Sequence, residues 1–301
     1  MIISPIVIFT YNRLDHLYTL INSLEQNELF KKSKILVFSD GPKNEIDKEK
    51  IEKIRIYLKK KLISNNSEIV ERANNFGLSK NVITGINQTF NDYDQAIILE
   101  DDLEVSPFFL NYMNDALNLY ANSENVASIS GYMYPINSKS FSNDYFFLSL
   151  IESWGWGTWK RAWNNFEIDN VKLKKEINER KLVSKFNFSS GISYYKMLND
   201  NINGLNESWA IRWYASTFLK NMNTLFPSKS FVKNIGIDNS GENCNYTTVY
   251  DSLINLDYKP LKKINSMELD TDRNIVKSFF QKIKYKRYLD NIINKLKRLI
   301  K

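Results

Sequence analysis

Three acids in succession, Glu100, Asp101 and Asp102, follow directly on the apolar run Ala96-Ile97-Ile98-Leu99. Carboxylates crowded in this way repel one another unless a cation neutralises them, and oxygen donors of this kind suit Mn2+ or Mg2+. The competing reading is an acidic turn that caps the following helix. Two further polar clusters stand at the ends of apolar runs: Thr10-Tyr11-Asn12-Arg13 and Ser39-Asp40-Gly41. The chain has one histidine, His16, and one cysteine, Cys244. These counts exclude a His-rich zinc site, a pair of acid-base histidines and an intramolecular disulfide. Acid-base chemistry therefore falls to carboxylates, Lys or Tyr. Aromatic residues make up 14% of the chain, and Trp154, Trp156 and Trp159 crowd one short segment with Gly155 and Gly157. Sugars and bases lie flat on such rings, although core packing uses them equally well. The two glycines would let backbone approach a ligand closely.

These residues need a scaffold, and the first hundred residues provide an α/β pattern. Apolar runs at 6–10, 35–39, 68–70 and 96–99 read as buried strands. Helical periodicity covers 14–24, 46–62 and 81–90 between them. Strands alternating with helices imply parallel pairing with right-handed crossovers, a Rossmann-like mostly parallel sheet flanked by helices. Ligands bind such sheets at the carboxyl ends of the strands. The three polar clusters all fall at those ends, so they are expected on one rim.

After Glu104 the alternation stops. A helix is expected from Pro107 to about Ala121 with Ser106 as its cap. Strand-like segments follow at 126–130 and 145–150, and further helices at 171–181, 190–202 and 207–221. Trp163, Trp209 and Trp213 read as core.

The net charge of +7 is unevenly distributed. Residues 273–301 carry ten Lys or Arg against Asp290 alone, a net +9 that leaves the other 272 residues at −2. A near-neutral body argues against a nucleic-acid groove. Tyr285, Tyr288, Leu289, Ile292, Ile293, Leu296, Leu299 and Ile300 fall on one helical face of the tail. A basic amphipathic helix reads as an anionic-membrane element, or as a helix packed on its own body or on a partner. The N-terminus has no basic region before its apolar run, and no window approaches the ~18 apolar residues of a membrane span. A cytoplasmic protein is expected, peripheral on the inner face of the membrane if the tail binds lipid.

Ile8-Phe9-Thr10-Tyr11-Asn12-Arg13, Phe38-Ser39-Asp40-Gly41 and the stretch from Ile98-Leu99-Glu100-Asp101-Asp102-Leu103-Glu104-Val105 to Met113 occur in this order. In order and spacing they resemble GT-A fold glycosyltransferases. The likeness is to the Golgi N-acetylglucosaminyltransferases and to bacterial family 2-like sugar transferases, over roughly residues 4–245. The resemblance implies a nucleotide-sugar-binding half at 1–104, a helical and mixed acceptor-binding half of the same domain at 105–272, and a basic C-terminal helix at 273–301. It implies a hexosyl- or N-acetylhexosaminyltransferase using a UDP-sugar and a glycan or lipid-linked acceptor in surface polysaccharide synthesis.

By resemblance Asp102 is the direct metal ligand, and Glu100 and Asp101 bind ribose and donor sugar or support the metal. Arg13 and Asp40 hold base and ribose, with Thr10 and Asn12 lining the same pocket. Asn81 stands where the Golgi enzymes have a histidine. Trp154, Gly155 and Trp156 lie on the sugar or acceptor side.

Transfer also needs a base for the acceptor hydroxyl. Glu207, before Trp209 at a predicted helix start, occupies the place of a carboxylate in the Golgi enzymes. Asp238 and Glu152 are its rivals. A sugar nucleotidyltransferase would instead carry a glycine-rich basic loop near the N-terminus, and Thr10–Leu17 is not one. A non-catalytic glycan-binding protein of the same fold would have no need of the intact acidic triplet.

Overall fold

The computed structural model describes residues 2–63, 66–189, 192–238, 248–265 and 267–299, with side chains described as far as Lys284. Cys244 and the expected apolar face from Tyr285 onward lie outside the described side chains.

The expected strands and helices of the first half form in order. They are β1 (Ile6–Thr10), α1 (Leu14–Glu25), β2 (Ile35–Ser39), α2 (Glu45–Lys61), β3 (Ser67–Glu71), α3 (Gly77–Asp92) and β4 (Gln95–Glu100). β1, β2 and β4 are buried along their length and apolar but for their end residues because both faces are covered, as a parallel sheet between helices requires. A short β5 (Leu103–Val105) leads into α4 (Phe109–Leu119). Ser106 does accept a bond from Phe108 N at 3.1 Å, so the expected cap operates one turn ahead of the regular helix.

The second half adds β6 (Val126–Ser130), β7 (Tyr145–Leu148) and β8 (Trp156–Trp159). Helices α5 (Lys160–Trp163), α6 (Asn170–Glu179), α7 (Val183–Phe186), α8 (Tyr194–Ile202) and α9 (Trp209–Leu219) follow, then β9 (Asn223–Pro227), β10 (Val232–Asn234) and α10 (Asp270–Leu299).

One eight-stranded sheet has the order β3-β2-β1-β4-β8-β6-β9-β7. β8 and β7 run against their neighbours, and every other pairing in this sheet is parallel. The carboxyl ends of β1, β2, β3, β4, β6 and β9 therefore share one rim. β5 and β10 pair separately on that rim, antiparallel, with Asn234 opposite Leu103. Insertion of β8 between β4 and β6 stitches the two halves into one sheet.

The tail does not begin where charge alone divides it. α10 starts at Asp270, and Val276, Phe280 and Ile283 are buried against the body. Phe280 meets Tyr134 and Phe188, and Arg273 pairs with Glu268 at 3.1 Å. The first half of the expected basic tail is thus part of the packed domain.

Candidate active site

The rim residues converge as the strand register demands. Thr10 Oγ1 donates to Asp101 Oδ2 at 2.9 Å, and Tyr11 N donates to the same oxygen at 3.1 Å. Arg13 Nη2 lies 2.6 Å from Asp101 Oδ1 and 3.0 Å from Asp102 Oδ2. One guanidinium thus bridges two consecutive carboxylates. Burial opposes its charge, but Asp101 and then Asp102 outweigh that, and its pKa is raised.

The acids respond to the shortage of positive charge. Burial, then the charges of Asp102 and Asp101, push the Glu100 carboxyl up to about 8, with Arg13 only partly compensating. Burial and the charge of Asp101 raise Asp102 as well, against Arg13 and His16. Three carboxylates thus face one guanidinium, and burial together with their mutual repulsion favours the protonated form of Glu100 and Asp102.

Among the described residues no group of three or more His, Cys, Asp and Glu side chains forms a ready metal cage. A Mn2+ or Mg2+ ion shared with substrate would need only one or two carboxylates, its shell being completed by phosphate oxygens and water. Asp101 is saturated by Thr10, Tyr11 and Arg13, so Asp102 is the carboxylate whose role could pass from Arg13 to an ion.

A carboxyl whose folded pKa exceeds its ordinary 4.5 keeps its proton in the folded chain and loses it on unfolding. Stability therefore falls as pH rises from about 4.5 to about 8. A bound divalent cation counters that loss. Mn2+ should raise the melting temperature more at pH 8 than at pH 6, measured by scanning fluorimetry; equal increments would show that no ion meets these acids.

Asp102 is fixed from behind by the chain that follows β10. Ile235 N donates to Asp102 O at 2.8 Å. A Cβ on Gly236 would stand 2.3 Å from Asp102 Oδ2 and 2.8 Å from its Cγ. Gly236→Ala must therefore displace the carboxylate. It should cost about 1–3 kcal/mol by overpacking and lower Mn2+-dependent activity together with Mn2+ affinity. Denaturant unfolding and Mn2+ titration check this. Beyond Gly236, Asp238 Oδ2 lies 3.3 Å from His16 Nε2 on α1, so the sole histidine also faces this corner.

The second lip forms at the end of β2. Asp40 Oδ1 accepts Gly41 N and Phe76 N, each at 2.8 Å, and Asn75 Nδ2 donates to Asp40 Oδ2 at 3.3 Å. A Cβ on Gly41 would collide with the Asn74 backbone at 2.3 Å, so only glycine lets these loops meet. Arg55 Nη2 donates to the carbonyls of Asp40 and Arg72 at 3.2 and 2.8 Å, tying the β2 and β3 ends together. Phe76 is flanked by the Arg72 and Lys80 cations at 5.0 and 4.4 Å.

The remaining expected residues are distributed less simply. Asn12 donates to Asp47 Oδ1 at 2.7 Å, and Tyr11 OH to Asp47 Oδ2 at 2.8 Å. Asn12 thus holds the start of α2 and, foremost among its partners, pulls Asp47 below the usual carboxylate range. Asn81 is buried in α3, where it accepts from Arg72 and donates to Phe38 O, each at 3.4 Å. It supports the rim from beneath.

Glu207 is exposed just before Ser208, which caps α9 through Ile211 N. Its Oε2 is 3.5 Å from where a Cβ on Gly77 would stand, which brings it to the start of α3. Arg212 on α9 reaches Ser79 in the same turn, and its buried Nε has no partner.

Glu152 accepts Tyr134 OH at 3.1 Å and is pushed up to about 7 by burial. Trp154 is half-buried and meets Tyr132 and Tyr250 at ring separations of 4.6 and 6.0 Å. Gly155 has φ +65°, and a Cβ there would strike Val232 at 2.7 Å. A Cβ on Gly157 would meet Met113 at 3.0 Å. The glycines admit protein neighbours rather than a ligand.

Trp156 is 0% exposed and stacks on Trp209 at 5.3 Å. An acceptor cannot reach it in this packing. Trp159 is likewise buried, donating to Leu117 O at 3.1 Å, and Trp163, Trp209 and Trp213 are core as expected. Trp154 alone of the Trp154–Trp156–Trp159 group keeps a surface near the rim.

Sequence reasoning did not single out Arg55, Asp47, Arg72, Arg212 or Gly236. Only Arg55, a cation amid the exposed charges of α2, carried even a faint signal.

Residues 6–202 match Glycosyl transferase family 2, and the chain belongs to that family. It is a glycosyltransferase with the α/β architecture of the GT-A fold. Among solved structures it is similar to S. aureus TarS, at 16% identity over 41% of this chain and 20% of that one, TM-score 0.31. It is similar to residues 1–349 of the same protein at 12% identity over 76% and 59%, TM-score 0.42. It is also similar to the mannosyltransferase PcManGT from Pyrobaculum calidifontis in complex with GDP-Man and Mn2+, at 10% identity over 71% and 73%, TM-score 0.40. The chain thus covers less than two thirds of either TarS structure. No curated protein sequence matches it.

Proposed function

We propose that this glycosyltransferase moves a sugar from a nucleoside-diphosphate donor, a UDP-sugar by resemblance, to a hydroxyl of a glycan or lipid-linked acceptor, with inversion, in building a surface polysaccharide. The observation that carries this reading is the convergence of Thr10, Arg13, Asp101 and Asp102 at the ends of β1 and β4, beside Asp40 at the end of β2. The Asp40–Phe76 lip offers hydrogen-bonding groups and an aromatic face to base and ribose. Glu100 would bind the ribose or donor sugar, and Asp101, its oxygens taken by Thr10, Tyr11 and Arg13, would support the metal through Arg13. Asp102 would hold Mn2+ or Mg2+, which supplies neutralisation of the departing diphosphate.

Glu207 takes the proton from the acceptor hydroxyl. The hydroxyl oxygen then bonds to the anomeric carbon as the bond from that carbon to the diphosphate oxygen breaks on the opposite face. A single displacement of this kind inverts the centre. Glu152, held by Tyr134, and Asp238, beside His16, are the alternative bases. Proton NMR of the first-formed product tests the stereochemistry: a product with the donor's anomeric configuration contradicts single displacement.

The acceptor side is proposed to lie at a membrane, with the protein cytoplasmic and peripheral on its inner face. Among the described residues no helix is long and apolar enough to cross a bilayer. Because the first half of α10 is packed, the lipid-binding role falls to residues 285–301, which carry a net +5. Their deletion should weaken co-sedimentation with anionic vesicles in a salt-sensitive way and leave donor hydrolysis intact. A fall in melting temperature with unchanged vesicle binding would contradict this.

A further inference from the structure

Residues 251–265 run without helix or strand from the chain beside Met133 and Ser106 along α4 to Tyr120, and they do so with a three-residue period. Every third side chain from Ser252 turns inward. Ser252 Oγ donates to Met133 O at 2.5 Å. Asn255 N donates to Ser230 O at 2.7 Å, and Asn255 O accepts Ser106 Oγ at 2.6 Å. Tyr258 OH bonds to Asp115 on α4. Leu261 and Ile264 pack on the core, and Ile264 N donates to Tyr120 OH at 3.0 Å. A repeat of three in an extended segment is the spacing of a polyproline-type strap, in which one row in three faces the body.

Among the outward positions, mostly charged, two are large and apolar. Leu253 is 93% exposed and Leu256 72% exposed, and Lys259, Lys262 and Lys263 follow them, also exposed. Phe108, partly exposed, is tied to the same place because its N donates to Ser106 Oγ. Lys229 joins Lys259 across a shallow cleft of about 100 Å³ that also contains Asp144 and Asp257. Lys233 is 4.0 Å from Asp251. Five lysines, Lys229, Lys233, Lys259, Lys262 and Lys263, therefore stand against four aspartates, Asp115, Asp144, Asp251 and Asp257, around the two leucines. The place is close to the acids: Ser106 follows Asp102 by four residues, at most about 14 Å along the chain.

We infer that this strap is a membrane-docking edge, with Leu253 and Leu256 entering the headgroup–acyl boundary of an anionic bilayer and the flanking lysines meeting its phosphates. The inference deepens the proposed membrane-side acceptor and rests on that reading for its biological sense. Two leucines and the edge of a phenylalanine fall far short of the ~800 Å² that each partner of a standard stable protein interface contributes. Lipid insertion needs no matching surface, and lysine stems lie along apolar surface while their ammonium groups reach phosphate. Docked by this edge, the acid cluster would open close beside the lipid surface.

The test uses the full chain and vesicles of equal parts phosphatidylcholine and phosphatidylglycerol. Leu253→Asp with Leu256→Asp should weaken partition at least ~10-fold, with Mn2+-dependent donor hydrolysis and gel-filtration volume unchanged. Leu253→Ser with Leu256→Ser should reproduce the loss without added charge. An environment-sensitive fluorophore on Leu253→Cys, in a Cys244→Ser background, should shift its emission to the blue on adding vesicles. Unchanged partition, or no spectral shift, overturns the inference. So does dissociation of a wild-type oligomer by the Asp pair, which would make a second copy the occupant. Failure of donor hydrolysis in the unaltered chain would instead count against the catalytic reading alone.

Discussion

Asp102→Asn should lower Mn2+-dependent donor turnover by about 10²–10³-fold, the size of effect seen when one preorganised electrostatic contact to developing charge is lost. The substitution keeps shape and removes charge. Arg13 would still have Asp101 at 2.6 Å, and Asp101 would keep its bonds from Thr10 and Tyr11, so the rim has reason to stay folded. Removing one of the crowded carboxylates also relieves repulsion on Glu100, which is raised first by burial and next by Asp102. The variant is therefore expected to melt no lower than the parent above neutral pH while losing Mn2+ affinity. Full activity in this variant would remove Asp102 from the chemistry.

Glu207→Gln should slow transfer to acceptor by ~10²–10⁴-fold, the usual contribution of a general base. Donor binding should stay near normal, because Glu207 comes beside the lip only at Gly77 and, among the described residues, makes no hydrogen bond or ion pair to Asp40, Phe76 or Arg13. A transfer assay run beside equilibrium donor binding separates these effects. A loss below about threefold would exclude Glu207 as the base and direct attention to Glu152, which is pushed up to about 7 by burial, or to Asp238.

The rim was legible in the sequence because each of its strands ends abruptly. Ile6–Phe9, Ile35–Phe38 and Ala96–Leu99 give way to polar residues within one position, and parallel strands must then present those residues together. The partners inside the rim were not legible. Nothing in the spacing tells that Arg13 bridges Asp101 and Asp102 while Asn12, its neighbour, turns to Asp47. That choice depends on the path of α1 and α2 above the strands.

Trp156 shows another limit. A tryptophan in a glycine-containing segment has the same composition whether it faces sugar or core, and only the insertion of β8 between β4 and β6 commits it to the core. The tail shows a third. Val276, Phe280 and Ile283 have helical spacing that the sequence displays, but the body that receives them, Tyr134 and Phe188 against Phe280, is assembled from residues about 90–150 positions away in the chain. Gly236 carried no signal at all, since its reason is the Asp102 side chain packed against it.

The Arg13–Asp101–Asp102 corner is proposed to work on a nucleotide sugar with a divalent ion. The most direct test of that role is release of the free nucleotide (UDP, GDP or CMP) from a panel of UDP-, GDP- and CMP-type sugar donors by the intact chain, with Mn2+ and then with EDTA. Turnover of at least one diphosphate donor is expected with Mn2+, abolished by EDTA and lowered about 10²–10³-fold by Asp102→Asn. Turnover undiminished in EDTA and in that variant would contradict the proposal.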